Sequence, residues 1–166
     1  MELFSQAIGP SYDLRHRAVQ LEFLAVCKWA NAQCTSEVYW LFEALIPKDK
    51  RDRINALPQE GARDPRYGVV PDFQITFDTA PGRQLAELKI ISCCMSHYKR
   101  AGARRARAVE KKARGIPGEY ERKITKLDAA DGRVMAKYKS FGDIRCLVGG
   151  GYGEFNRDFK KVMRQL

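Results

Sequence analysis

Strict alternation marks the stretch Asp72-Phe73-Gln74-Ile75-Thr76-Phe77-Asp78, with Phe73, Ile75 and Phe77 on one side and Asp72, Gln74, Thr76 and Asp78 on the other. A period of two predicts a strand with one buried face. A turn around Thr79-Ala80-Pro81-Gly82-Arg83 leads into a segment from Gln84 to Ser92 that is apolar on both sides, as in a more interior strand. Upstream, Leu14, Ala18, Leu21, Leu24 and Ala25 recur at helical spacing and predict a first helix from Tyr12 to Ala32, with Phe23, Val26 and Trp29 widening its apolar side. The run from Thr35 to Phe42 is rich in aromatic and branched residues and reads as a first strand. Pro47 opens a short charged helix through about Leu57, and Pro58 to Arg66 reads as a loop.

The second half alternates helix and strand signals. Alanines at 101, 103, 106, 108 and 113 favour a helix that Gly115 and Pro117 should stop. Beyond them Tyr120, Ile124, Leu127, Val134 and Tyr138 form one stripe of a helix reaching about Lys139, with Gly132 as a weak point. Ile144 to Val148 suits a final strand. Gly149-Gly150-Gly151-Tyr152-Gly153 lacks the lysine and Ser/Thr of a phosphate loop and reads as a flexible turn. Asn156 caps a terminal amphipathic helix carrying Phe159, Val162, Met163 and Leu166.

A length of 166 residues with 45% apolar content fits a single domain over 1–166 with a real core, and excludes a disordered chain. No run of about eighteen apolar residues and no basic-then-apolar amino terminus occurs, so neither a membrane span nor a signal peptide is expected. An intracellular location follows, nuclear if the source is eukaryotic. The five cysteines, Cys27, Cys34, Cys93, Cys94 and Cys146, are an odd set that favours free thiols. With His97 they invite a zinc site, but no CxxC spacing supports one.

The net charge of +10 is concentrated. Lys99, Arg100, Arg104, Arg105, Arg107, Lys111, Lys112 and Arg114 stand against Glu110 alone in one sixteen-residue run. A helix of that composition would be basic nearly all round, too polar for the core, and suited to a phosphate backbone. A charge run can also be plain solvated surface.

The candidate chemistry sits just before that run. If the two central strands pair with Asp72 opposite Lys89 and Gln74 opposite Glu87, all four share one face, and a one-residue slip would scatter them. Two carboxylates on a half-apolar sheet need a compensating cation, and hard oxygen ligands select Mg2+ or Mn2+ over zinc. The plain alternative makes Asp72 a turn residue and Glu87 with Lys89 a weak surface pair.

Pro71-Asp72 followed by Glu87-Leu88-Lys89 resembles the signature of the PD-(D/E)XK nuclease superfamily. The resemblance implies an α/β (α+β) fold: a restriction endonuclease-like αβββαβ core whose mixed central sheet is flanked by helices. It further implies that Asp72 and Glu87 bind the divalent ion, that the main-chain carbonyl of Leu88 adds a ligand, and that Lys89 positions or activates the attacking water. A third carboxylate is open between Glu22 and Glu37. His16 is the histidine able to approach from the first helix, against a plainer reading as a surface or capping residue. Lys123, with Arg122 and Lys126, is a candidate for the cleft side of the later helix.

A looser similarity spans more of the chain. Arg15-His16, Ser36-Glu37-Val38-Tyr39, Leu45-Ile46-Pro47, Val70-Pro71-Asp72-Phe73, Leu85 to Ile91, and Gly118-Glu119-Tyr120 with Arg122-Lys123 resemble, in order, nuclease-like modules at the ends of reverse-transcriptase-bearing mobile elements. The expectation is thus a Mg2+-dependent nuclease hydrolysing phosphodiester bonds of DNA, favoured over RNA, and acting as an endonuclease. A monomer and a dimer are both compatible with it. The alternatives are a non-catalytic nucleic-acid-binding module of the same fold, or a basic assembly protein.

Overall fold

The computed structural model describes residues 10–38, 41–55, 69–77, 82–91, 102–151 and 153–166, and excludes the side chains of 10–13, 53–55, 102 and 103. Among these residues the first helix, α1, spans Pro10–Trp29. Its buried side differs from the one the Leu/Ala spacing suggests. Leu14, Leu21 and Trp29 are exposed, whereas Gln20, Phe23 and Cys27 are buried. His16 lies one turn before Gln20 on that inward side. The repeat His16, Gln20, Phe23, Cys27 has helical spacing too, and two of its members are polar, which hid it from a count of apolar positions.

Strand β1, Gln33–Ser36, starts and ends earlier than expected. Glu37 ends it by adopting a left-handed backbone, φ 49°, a conformation that interrupts an extended chain. Of the expected run to Phe42, Tyr39 and Trp40 lie outside the described residues. Phe42 instead precedes a short 3-10 turn at Glu43–Leu45, and with Ile46 it is buried. Helix α2, Lys48–Asn55, follows Pro47 as its charge pattern predicts. The expected loop from Pro58 to Arg66 lies outside the described residues.

Strands β2, Phe73–Thr76, and β3, Arg83–Ile91, are antiparallel. Phe73, Ile75 and Phe77 are buried on one side, as their alternation requires. Their register pairs Phe73 with Ala86 and Gln74 with Leu85. The predicted pairing of Gln74 with Glu87 is displaced by two residues, which preserves the faces and brings Asp72 level with Glu87 in place of Lys89. Strand β4, Arg145–Gly150, lies parallel to β3, giving a four-stranded mixed sheet in the order β1-β2-β3-β4. The chain is therefore mixed α/β. Gly149 and Gly150 belong to β4, so the strand takes the first two glycines of the expected turn; Gly153 stands at φ 80°, and Tyr152 lies outside the described residues. A Cβ at Gly149 would stand 3.3 Å from the Phe155 ring, a tight approach that glycine avoids.

The parallel connection between β3 and β4 is carried by α3, Gly102–Leu127, and α4, Arg133–Lys139. Gly115 and Pro117 do not stop α3. Proline removes one helical hydrogen bond, the one to the Ala113 carbonyl, but Val109, Ala113, Ile116, Tyr120 and Ile124 form a continuous buried row that holds the helix on the sheet across that point. The basic helix is thus a core element with one apolar side, not a rod charged all round. The break expected at Gly132 is real, and it divides the later stripe between α3 and α4. Asp128 accepts from the Val134 N–H at 3.1 Å, and a Cβ on Gly132 would stand 2.2 Å from that carboxylate.

One face of the sheet packs on α1 and on α5, Arg157–Gln165, through Phe23, Phe73, Leu88, Leu147, Phe159 and Val162. The other packs on α3 and α4 through Leu85, Cys146, Val148, Ile116 and Val134. No helix of the described residues is long and apolar enough to cross a membrane. Asn156 caps α5 as expected. Its Oδ1 accepts from Phe159 N at 3.2 Å and from Val148 N at 3.0 Å, tying helix to strand. Asn156→Ala is expected to cost roughly 2 kcal/mol in denaturant unfolding, from removal of the cap and an unsatisfied strand N–H. Asn156→Asp, which keeps the acceptor, should recover most of it.

Candidate active site

The site forms where β2 and β3 part. Ahead of β2 the main chain of Pro71 and Asp72 still accepts from the β1 side, from Val38 N at 3.3 Å and Glu37 N at 2.9 Å. On the β3 side the ladder is replaced by a side chain. Asp72 Oδ2 accepts from Leu88 N at 2.7 Å. The Leu88 carbonyl is met by His16 Nε2 at 3.2 Å, and the same nitrogen stands 3.4 Å from Asp72 Oδ2. Both neighbours are acceptors, so Nε2 carries the ring proton.

Glu87, the next residue back along β3, points to the opposite face from Leu88, beneath α3. It is 5% exposed. Lys89 Nζ lies 2.5 Å from its Oε1, and the Tyr120 hydroxyl hydrogen-bonds its Oε2. That hydroxyl also lies 3.1 Å from the Val70 carbonyl. It has one proton for these two acceptors. Burial, and then the charge of Asp72, push the Glu87 carboxyl above its ordinary range, while Lys89 and Tyr120 pull it back. Burial and the Glu87 carboxylate hold the Tyr120 phenol well above its own. The hydrogen bond to Asp72 raises His16 against the opposing effect of burial.

The structure therefore gathers Asp72, Glu87, Leu88 and Lys89 with His16. Tyr120, which sequence reasoning missed, completes the group. Its signal was present in the row Val109, Ala113, Ile116, Tyr120, Ile124, whose spacing is unbroken across Pro117. The Tyr120 ring stacks on Tyr138 with centroids 5.9 Å apart, and Lys123 Nζ lies 5.5 Å from its centroid. Glu37 meets Asp72 through its backbone, but its carboxylate turns to Arg17 at 3.3 Å. Glu22 is exposed at the rim of an apolar cavity between α1 and α5. Neither carboxylate joins the pair.

The basic run divides. Arg104, Arg107, Lys111 and Arg114 are exposed on α3. Arg105 pairs with Glu154, and Lys112 with Glu119 at 2.9 Å. Lys99, Arg100, Cys93, Cys94 and His97 lie outside the described residues. Cys27, Cys34 and Cys146 are free thiols.

Among the described residues no group of three or more His, Cys, Asp or Glu side chains is arranged to hold a metal ion. The oxygen donors at the fork are two carboxylates and a main-chain carbonyl, a set whose hardness suits Mg2+ or Mn2+. The mutual repulsion of Asp72 and Glu87 is the electrostatic condition that a cation relieves. Comparison of the chain with models of known protein families, with curated proteins and with solved structures finds no match.

The His16–Asp72 pair sets a pH dependence. The folded-state value of His16 lies above 6.5, so its contribution is complete below the unfolded value and is lost as pH rises through the folded one. Metal-free protein melted between about pH 6 and pH 9 should lose stability relative to His16→Asn as pH increases. A constant difference across that range would contradict the pairing.

Proposed function

We propose that this chain is a metal-dependent nuclease of the PD-(D/E)XK type that hydrolyses phosphodiester bonds of DNA. The observation that carries the reading is the Asp72 carboxylate held on the Leu88 main chain at the fork of β2 and β3, near enough to Glu87 to raise it, with Lys89 held on Glu87. The element order α1-β1-β2-β3-α3-β4 supports it, being the αβββαβ plan with α2 inserted after β1 and α4 after α3. So does the parallel pairing of β3 with β4.

Asp72, Glu87 and the Leu88 carbonyl would hold Mg2+ or Mn2+. When bound, such an ion supplies charge neutralisation at the phosphate and a more acidic water. The chain's own groups do the remaining work. Lys89, 29% exposed at its side chain, presents an ammonium that orients the attacking water and steadies negative charge developing on the phosphorus oxygens. Tyr120 fixes the Glu87 carboxylate against Val70, so both arms of the fork keep their spacing. His16 covers the Leu88 carbonyl and Asp72 from α1, and must turn aside for an ion to reach both. The charge of +10 favours a polyanionic substrate.

Incubation with supercoiled DNA should produce nicked circles with Mg2+ or Mn2+ and none with chelator. Asp72→Ala, Glu87→Ala and Lys89→Ala should each lower that rate by about 100-fold or more, while DNA affinity persists. The same ions should raise the melting temperature of the wild type, and less that of Asp72→Asn. Retained binding with no cleavage under any metal would favour the non-catalytic module of the same fold. A melting temperature unmoved by Mg2+ and Mn2+ but lowered by a zinc chelator would move the metal to the cysteines.

A further inference from the structure

The outward side of α3 carries a feature that the carboxylate site does not use. At about 100° per residue, Arg104, Arg107, Lys111, Arg114, Arg122 and Lys126 fall within a sector of about 120°, centred opposite the buried row from Val109 to Ile124. All six are exposed. None of them pairs with a carboxylate among the described residues; Arg114 and Arg122 turn back to the carbonyls of Glu110 and Gly118. The other cations of the first half of the helix behave differently. Arg105 and Lys112, on its flank, are matched by Glu154 and Glu119. The acids keep off the outward sector as well: Glu110 accepts from Arg157 N at the start of α5, and Glu121 projects just outside the sector. Like charges one turn apart weaken a helix, and a merely solvated surface ordinarily intersperses both signs. A row of one sign is complementary to an array of phosphates.

The direction of the row decides which phosphates. Tyr120 reaches Glu87 from the buried side, which places Glu87 beneath α3 with Asp72 near enough for its charge to act on both. A helix with its side chains is about 10–12 Å across, so a phosphate at Asp72 and Glu87 and one on the row stand on opposite sides of it. We propose that the outer face of α3 is a second nucleic-acid-binding surface, holding a stretch of phosphodiester backbone other than the one presented to the carboxylates. The inference rests on nucleic acid being the substrate of that site, and does not require that cleavage occur.

Titration with a duplex of about 12 base pairs, too stiff to wrap a single helix, tests it in the full chain at low salt. The wild type should take two duplexes per chain and the variant Arg104→Gln/Arg107→Gln/Lys111→Gln/Arg114→Gln one. With longer duplex the log–log salt slope of that variant should fall by about 0.9 for each phosphate that the helix no longer neutralises. The charge-preserving variant Arg104→Lys/Arg107→Lys/Arg114→Lys should keep both the stoichiometry and the slope, which separates charge from folding. One duplex per wild-type chain, or an unchanged slope in the glutamine variant, overturns the proposal. Two duplexes per chain with no metal-dependent cutting would sink the nuclease reading and leave this surface standing. Cutting with a single duplex would do the reverse.

Discussion

A carboxylate buried beneath a helix is the constraint on which the rest of this structure depends. Glu87 sits on the central strand with almost no solvent, and an isolated charge there would be costly. Its two oxygens are taken by Lys89 and Tyr120, one from its own strand and one from α3. Those contacts dictate that α3 must run on past Pro117 far enough to deliver Tyr120, and that β3 must keep Glu87 and Lys89 on one face. Asp72 imposes the matching condition on the other arm, because its carboxylate stands in for a strand and satisfies Leu88 N. The fork opens where the backbone ladder is exchanged for side chains. There it sets the Asp72 carboxylate against the Leu88 main chain, near enough to Glu87 to raise that carboxyl.

The retention of two acids at one fork is the argument for a ligand. A group kept only for stability would better be apolar, since replacing a buried ionic pair by packed hydrophobic residues is often neutral or favourable. Here two acids are kept close enough for one to push the other's protonation upward. A raised carboxyl next to a lysine, at a break in a sheet, marks a candidate functional site, and on the proposed reading it is a ligand of a divalent ion. On the proposed reading the positive charge of the chain is what draws a phosphodiester to a site that is itself acidic.

Much of this was legible in the sequence, and the failures have physical causes. The alternation in Phe73, Ile75 and Phe77 fixed the faces of β2, so a register error of two residues left Asp72, Glu87 and Lys89 on the same side. Asn156 was readable as a cap because its chemistry is local. The inward side of α1 was not, because Gln20 is buried and Leu14 and Leu21 are exposed, against what hydropathy alone suggests. His16 was readable as the histidine able to approach from the first helix, but its inward position one turn before Gln20 was not. Tyr120 was separated from the basic run by treating Gly115 and Pro117 as a stop, although tertiary packing of Ile116 and Tyr120 outweighs one missing hydrogen bond. Strand β1 was misplaced because the aromatic run after Ser36 looks extended by composition, whereas the backbone turns at Glu37.

Anomalous diffraction from crystals soaked in Mn2+ tests the central claim most directly. The account predicts a single strong peak touching Asp72, Glu87 and the Leu88 carbonyl, with His16 swung away from that oxygen, and loss of the peak in Glu87→Gln. A fork without a peak while the His16 contact to Leu88 persists, or manganese bound only elsewhere, would contradict it.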